Sequence, residues 1–231
     1  MSKKNLLLLH GALGSAAQLA PLKEELSSHF DNIQSLTFSG HGGQSLNSID
    51  FSIDTFTKDV IAFLDERGID QTDIFGYSMG GYVALNLALL HPTMVGRIFT
   101  LGTKLEWSAE IAQKEVKMLN AEKIEEKVPA FAKMLEQRHA PVGWKEVLQK
   151  TTSMMINLGN GAALSFDRFK DIRQPVVIGI GDEDNMVTME ESETVANLLP
   201  GGELRVFKGF KHPLEQVDVK ILAEEIKQFV S

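Results

Sequence analysis

A chain of 231 residues with 43% apolar content can bury a substantial core, either as one large α/β domain or as a domain with one insertion. Its net charge of −8 argues against nucleic acid and against an anionic membrane surface, since both call for clustered lysine and arginine. The absence of cysteine removes disulfides, thiol nucleophiles and cysteine-ligated metals, and fits a reducing compartment.

The first apolar run, Asn5 to Leu9, reads as a buried strand that stops at His10-Gly11. Lysines precede it in MSKKNLLLLHG, but Leu6 to Leu9 is too short for a signal-peptide core and no small-residue cleavage site follows. No stretch approaches the roughly 18 to 20 apolar residues of a membrane helix, so the expectation is a soluble cytoplasmic protein without membrane partners. Residues 17–29 carry Leu19, Leu22 and Leu26 at helical spacing, and Ile33 to Phe38 reads as a second strand before the loop SGHGGQS. Asp54 to Glu66 is an amphipathic helix stopped by Arg67-Gly68. Thr72 to Phe75 is a third strand. Met79 to Leu90 is a helix apolar on nearly every side, ended by His91-Pro92.

Val95 to Leu101, Val176 to Ile180 and Glu203 to Phe207 complete about six strands, with helices at Glu190 to Leu199 and Leu214 to Val230. Strands alternating with amphipathic helices point to a mostly parallel sheet with helices on both faces. Between the fourth and fifth strands, Trp107 to Asn120, Ala121 to Arg138 and Trp144 to Asn157 are helical and no strand is evident. The expected division is a core of residues 1–103 and 171–231 and a helical cap of residues 104–170 packed against it.

The stretch GYSMGG, residues 76–81, joins the third strand to the third helix. Three readings compete: a turn that happens to contain serine, a phosphate loop, and a nucleophile elbow. A phosphate loop wants a lysine that is absent here. An elbow wants a strand before the serine and a helix after it, and both are present. A serine hydroxyl also needs a base and an orienting carboxylate. After the fifth strand comes GDEDNMV and after the sixth comes KGFKHPLE, which gives the order serine, acid, histidine. A dinucleotide fingerprint at HGALGS is rejected, because Gly11-x-x-Gly14 has the wrong spacing and the second strand lacks an acid at its end.

With these motifs in place the chain resembles the α/β-hydrolase superfamily. It looks like the small capped kind that includes carboxylesterases, meta-cleavage C–C hydrolases and serine haloperoxidase-like proteins. The likeness runs over nearly the whole length: the His-Gly after the first strand, the Gly-His-Gly loop, the elbow, the acid loop and the late histidine. The commoner family wording of the second loop, Asp-x-Pro-Gly-His-Gly-x-Ser, lacks its Asp and Pro here. The resemblance implies Ser78 as nucleophile, His212 as base and then acid, and Asp184, three residues past Gly181, as the orienting acid. Asp182, Glu183 and Glu106 are its rivals. It also implies an oxyanion hole from the backbone N–H groups of Ala12 and Met79.

A serine at this position implies acyl transfer from a small ester, a thioester or a C–C bond beside a carbonyl. A lyase or a ligand-sensing receptor that keeps the triad is the alternative. The cap is close to charge-balanced and rich in methionine; Met118, Met134 and Met154 are candidates for an apolar substrate pocket. Arg138 and Lys104 are the cationic groups available to an anionic substrate. No cofactor or metal is called for, since no histidines show zinc-ligand spacing. His10 is expected to bond loop backbone, with structural or surface readings for His29, His41, His91 and His139. A monomer or a homodimer is the expected assembly.

Overall fold

The computed structural model describes residues 5–46 and 50–230; the lysines that precede the leucine run lie outside the described residues. Six strands form one parallel sheet: β1 (Asn5–Leu9), β2 (Asn32–Leu36), β3 (Thr72–Tyr77), β4 (Val95–Leu101), β5 (Val176–Gly181) and β6 (Gly202–Phe207), in the order β2-β1-β3-β4-β5-β6. Successive side chains alternate across a strand, so a strand buried on both faces is apolar throughout. In β1, Leu7 and Leu9 enter one core while Leu6 and Leu8 enter the other, and all four are buried.

Helices α1 (Ala20–Leu26) and α9 (Val219–Phe229) cover the face carrying Leu6, Leu8, Phe75 and Phe99. Helices α2 (Ile53–Glu66), α3 (Met79–Leu90) and α8 (Met189–Leu198) cover the opposite face. Between β4 and β5 run α4 (Ala109–Val116), α5 (Ala121–Lys127), α6 (Pro129–His139) and α7 (Trp144–Asn157). Their buried residues, among them Leu135, Val147, Leu148 and Met154, join the same apolar cluster as Met79 and Tyr82 of α3. Among the described residues no helix is long and apolar enough to cross a membrane.

Three helical expectations are corrected. Ala121 to Arg138 is two helices, because Val128 (φ −137°, ψ 59°) leaves helical geometry ahead of Pro129 at the start of α6. Leu214 to Val230 begins with a separate 3-10 turn at Leu214–Gln216, and α9 starts only after Asp218 accepts from the N–H groups of Lys220 and Ile221. Residues 17–29 divide into a 3-10 turn, Ala16–Leu19, and α1; Pro21 in its first turn has no N–H with which to continue the preceding ladder. The second strand also stops short of its expected end, since the Phe38 N–H donates to His10 Nε2 (3.1 Å) instead of to a neighbouring strand.

The strand order reverses beside β1, which lies between β2 and β3. In a parallel sheet the loops leaving the carboxyl ends of the two strands at such a switch diverge, and the crevice between them is where ligands bind. The loops after β1 and β3 therefore carry the groups to inspect first.

Candidate active site

Ser78 occupies that crevice. It sits between β3 and α3 with φ 51° and ψ −117°, a left-handed backbone that few residues with a Cβ adopt. Neighbouring backbone holds it there: its N–H donates to Leu101 O (2.8 Å), and its carbonyl accepts from Gly81 N (3.0 Å) and Thr103 Oγ1 (3.0 Å). So tight a turn needs bare neighbours. A Cβ added at Gly80 would lie 2.5 Å from Leu9 O, and one at Gly76 would lie 2.5 Å from Gly81 Cα. The Ser78 side chain caps no helix N–H and faces a cavity shared with His212.

His212 follows β6, and its Nδ1 donates to Asp184 Oδ2 at 2.8 Å. Both side chains are buried. Burial alone would push the Asp184 carboxyl up. The hydrogen bond and charge of His212, with the N–H groups of Val187 and Met186, outweigh it and hold the group below the usual carboxylate range. An ionised Asp184 keeps the proton on Nδ1 and leaves Nε2 as the acceptor of the ring. The rivals are engaged elsewhere: Asp182 accepts from Gly209 N, Glu183 lies 4.0 Å from Lys211, and Glu106 is exposed.

Two neighbours of this pair gave little sequence signal. Tyr77 donates its hydroxyl to the His212 carbonyl (2.8 Å), and burial first, then the Glu215 charge, push that phenol up. Gly102, at φ 60°, leaves open a space in which a Cβ would sit 3.2 Å from Asp184 Oδ2 and 3.3 Å from His212 Nδ1.

Ala12 and Met79 line the same cavity as Ser78. Met79 is the first residue of α3, so its N–H has no intrahelical acceptor and points out of the positive end of the helix. The loop holding Ala12 turns at Leu13, which has φ 59°. The Leu13 carbonyl accepts from Arg138 Nη1 (2.9 Å) and His139 Nε2 (3.0 Å), while His139 Nδ1 accepts from Gly42 N (3.2 Å). Arg138 Nη2 also meets Glu215 Oε1 (3.0 Å), three residues past His212. Helix α6 thus ties the loop after β1 to the loop after β6. Both cations are already engaged: Arg138 with Leu13 O and Glu215, and Lys104, which lines the cavity, with Met186 O (3.0 Å) and Glu191 Oε2 (3.4 Å).

Three histidines meet under these loops. His10 Nδ1 donates to Gly11 O (2.7 Å), and the His41 ring stacks on Phe51 while approaching both His10 and His139. Burial lowers all three: His41 to about 4, and His10 and His139 below their ordinary value. They are neutral scaffold residues.

The cavity over Ser78 has a volume of about 40 Å³, room for the centres of a few water-sized groups. Of the methionines singled out, Met154 lines it, joined by Met155 and Trp107. Met118 is 52% exposed, and Met134 lies against Arg138; neither reaches the cavity. The adaptable methionine side chain and a place in the cap selected both, but neither says which neighbour a side chain will meet. Among the described residues no group of three or more His, Asp or Glu is placed to hold a metal ion.

A family model described as the α/β-hydrolase fold matches residues 4–123. A putative carbamate hydrolase RutD from Caulobacter segnis is 25% identical over 244 residues, covering 97% of this chain and 90% of that protein. A pimeloyl-[acyl-carrier protein] methyl ester esterase from Aliivibrio salmonicida is 30% identical over 114 residues, 49% of this chain and 41% of that protein. Among solved structures, the enol-lactonase from Burkholderia xenovorans LB400 superposes with a TM-score of 0.79 at 18% identity, covering 100% of this chain and 92% of that one.

Proposed function

Because the chain belongs to the α/β-hydrolase family, we propose that it is a serine hydrolase cleaving a small carboxylic ester or thioester through an acyl-enzyme intermediate. The observation that carries this reading is Ser78, held in a left-handed turn and facing the same cavity as a histidine already hydrogen-bonded to a carboxylate. In this mechanism His212 Nε2 takes the proton from Ser78 Oγ as the oxygen attacks the substrate carbonyl. The N–H groups of Ala12 and Met79 receive the oxyanion, each worth about 2.7–4 kcal/mol to the transition state. Collapse expels the alcohol or thiol, protonated by His212, and leaves the acyl group on Ser78. Water, deprotonated by the same imidazole, then releases the acid. Asp184 keeps the ring in the tautomer that both steps require and stabilises the imidazolium that forms in each.

The helices between β4 and β5 act as a cap that closes the acyl site, and the small cavity beneath favours a short acyl group. The names of the relatives, a carbamate hydrolase and a methyl ester esterase, support attack at a carbonyl carbon. The expected outcome is covalent labelling of Ser78 by a fluorophosphonate and turnover of p-nitrophenyl acetate. Ser78→Ala should abolish the label and lower kcat by about 10⁴-fold or more, with an unchanged circular dichroism spectrum. Full activity in Ser78→Ala would sink the proposal.

A further inference from the structure

The cavity over Ser78 does not suit a purely hydrocarbon substrate. Most of its wall is apolar, from residues such as Ile53, Trp107, Met154 and Leu158, but Lys104 and Glu115 also line it. Glu115, from the last turn of α4, is 4% exposed. Its Oε1 is 3.9 Å from Lys104 Nζ, beyond hydrogen-bond length, and its Oε2 has no hydrogen-bond partner. Lys104 is committed to Met186 O and to Glu191. Glu191 is itself fully used: Oε1 accepts from Leu105 N (2.9 Å), and Oε2 accepts from Thr188 N (3.1 Å) and Thr188 Oγ1 (3.0 Å). Two carboxylates thus share one ammonium, and only one carboxylate is satisfied. A buried carboxylate oxygen left without a donor is destabilising, and one carried by a residue that lines a cavity calls for an explanation.

We propose that Glu115 is a specificity-determining residue whose free oxygen accepts a hydrogen bond from a hydroxyl or N–H carried on the acyl part of the substrate. The acyl assignment rests on the reading of Ser78 as nucleophile; the need for a donor belongs to the cavity itself. An acyl chain ending in a carboxylate is disfavoured by the same group, because the second negative charge meets no free cation among Lys104, Glu115 and Glu191.

The test compares p-nitrophenyl 3-hydroxybutanoate with p-nitrophenyl butanoate, which differ only in the donor. Wild-type enzyme should favour the hydroxy ester by about tenfold or more in kcat/KM, the effect of a hydrogen bond to a charged acceptor. Glu115→Leu should bring the ratio to about one or below, and Glu115→Gln, which keeps an acceptor oxygen, should fall between. Glu115→Leu should melt no lower than wild type, since it removes an unpaired polar atom while Lys104 keeps Glu191. A lower Tm with an unchanged ratio would make Glu115 a structural residue and overturn the proposal. Equal rates on both esters in wild type would mean that water fills the position, and would overturn it too.

Calorimetric binding of ethyl 3-hydroxybutanoate and ethyl butanoate to Ser78→Ala separates this from the catalytic reading. Preference for the hydroxy ester there, without turnover or labelling in wild type, removes the serine mechanism and leaves the donor site standing. Turnover without preference in either assay removes the donor site alone.

Discussion

The loops at the carboxyl ends of the strands and the helices inserted between β4 and β5 build the same cavity by different means. The loops place their groups through backbone. Ser78 is fixed by φ 51°, by hydrogen bonds to main chain and by glycines through which neighbouring backbone passes. The insert works through side chains that reach across: Arg138 and His139 onto Leu13 O, Met154 and Glu115 onto the cavity wall. Backbone placement is rigid, so it suits atoms that must meet a reacting carbonyl within tenths of an ångström. Side-chain placement changes with single substitutions, so it suits adjustment of what the cavity accepts. Losses from the loops should therefore strike kcat, whereas losses from the insert should strike selectivity, loop position or stability.

The sharpest division comes from the loop after β5. Asp184→Asn replaces the acceptor of His212 Nδ1 with an amide able to stabilise the wrong tautomer, and kcat should fall by about 10³–10⁴-fold while the protein remains folded. Asp182→Asn, two residues away and with its carboxylate bonded to Gly209 N, should keep kcat within a few-fold of wild type. Steady-state kinetics on p-nitrophenyl acetate decide the matter; equal losses in both variants would deny Asp184 its separate role.

These differences track what the sequence can disclose. The strands are visible as short apolar runs because both faces of the sheet are covered, and α3 begins and ends where its apolar run does, at Met79 and Leu90. The loops that carry Ser78, Asp184 and His212 could be located because parallel strands deliver the loops that follow them to one edge of the sheet, whereas the choice of Asp184 over Asp182 and Glu183 came from the family resemblance. The insert is less readable. Its periodicity shows which face of each helix is apolar, not what that face meets, so Met118 and Met134 were as plausible as Met154. Pro129 did mark the break between α5 and α6, yet apolar spacing on either side bridges it. Glu115 and His139 carry no local signal at all, because their partners lie in loops distant in sequence.

Arg138 tests the insert's hold on the loop after β1. Arg138→Met keeps the apolar stem but removes the donors to Leu13 O and Glu215. The Leu13 carbonyl then keeps His139 alone of its two side-chain donors, and the Ala12 N–H beside it drifts. The expected result is a fall in kcat of about 10- to 100-fold with little change in KM, the cost of misplacing a group near the reacting atom. Lys133→Met, an exposed change on the same helix, should leave both constants at wild type. An Arg138→Met enzyme with full kcat would show that the loop holds itself.

The seam between the two regions predicts a smaller effect, in stability. His10, His41 and His139 are neutral in the fold, with values lowered by burial, His41 to about 4 against an ordinary 6.5. As pH falls below about 6.5 the unfolded chain takes up protons that the folded chain refuses, so the unfolded state gains and stability drops. For His41 the loss continues to about pH 4, where the folded state also takes its proton. Each such group contributes at most about 1.4 kcal/mol per pH unit. Asp184 acts in a different window: its lowered carboxyl stabilises the fold above the unfolded carboxylate value of 3.8 and loses that contribution only in stronger acid. Urea unfolding should thus show a plateau above pH 7 and a decline from there toward pH 5. His41→Leu keeps an apolar group among Phe51 and Phe56, and gives up one hydrogen bond from Nδ1 to Ser39 O. It should change stability little at pH 7.5 and flatten the decline by about one proton. A slope equal to that of wild type would mean that His41 is protonated in the folded protein, and that the seam between loops and insert opens far enough to let water reach it.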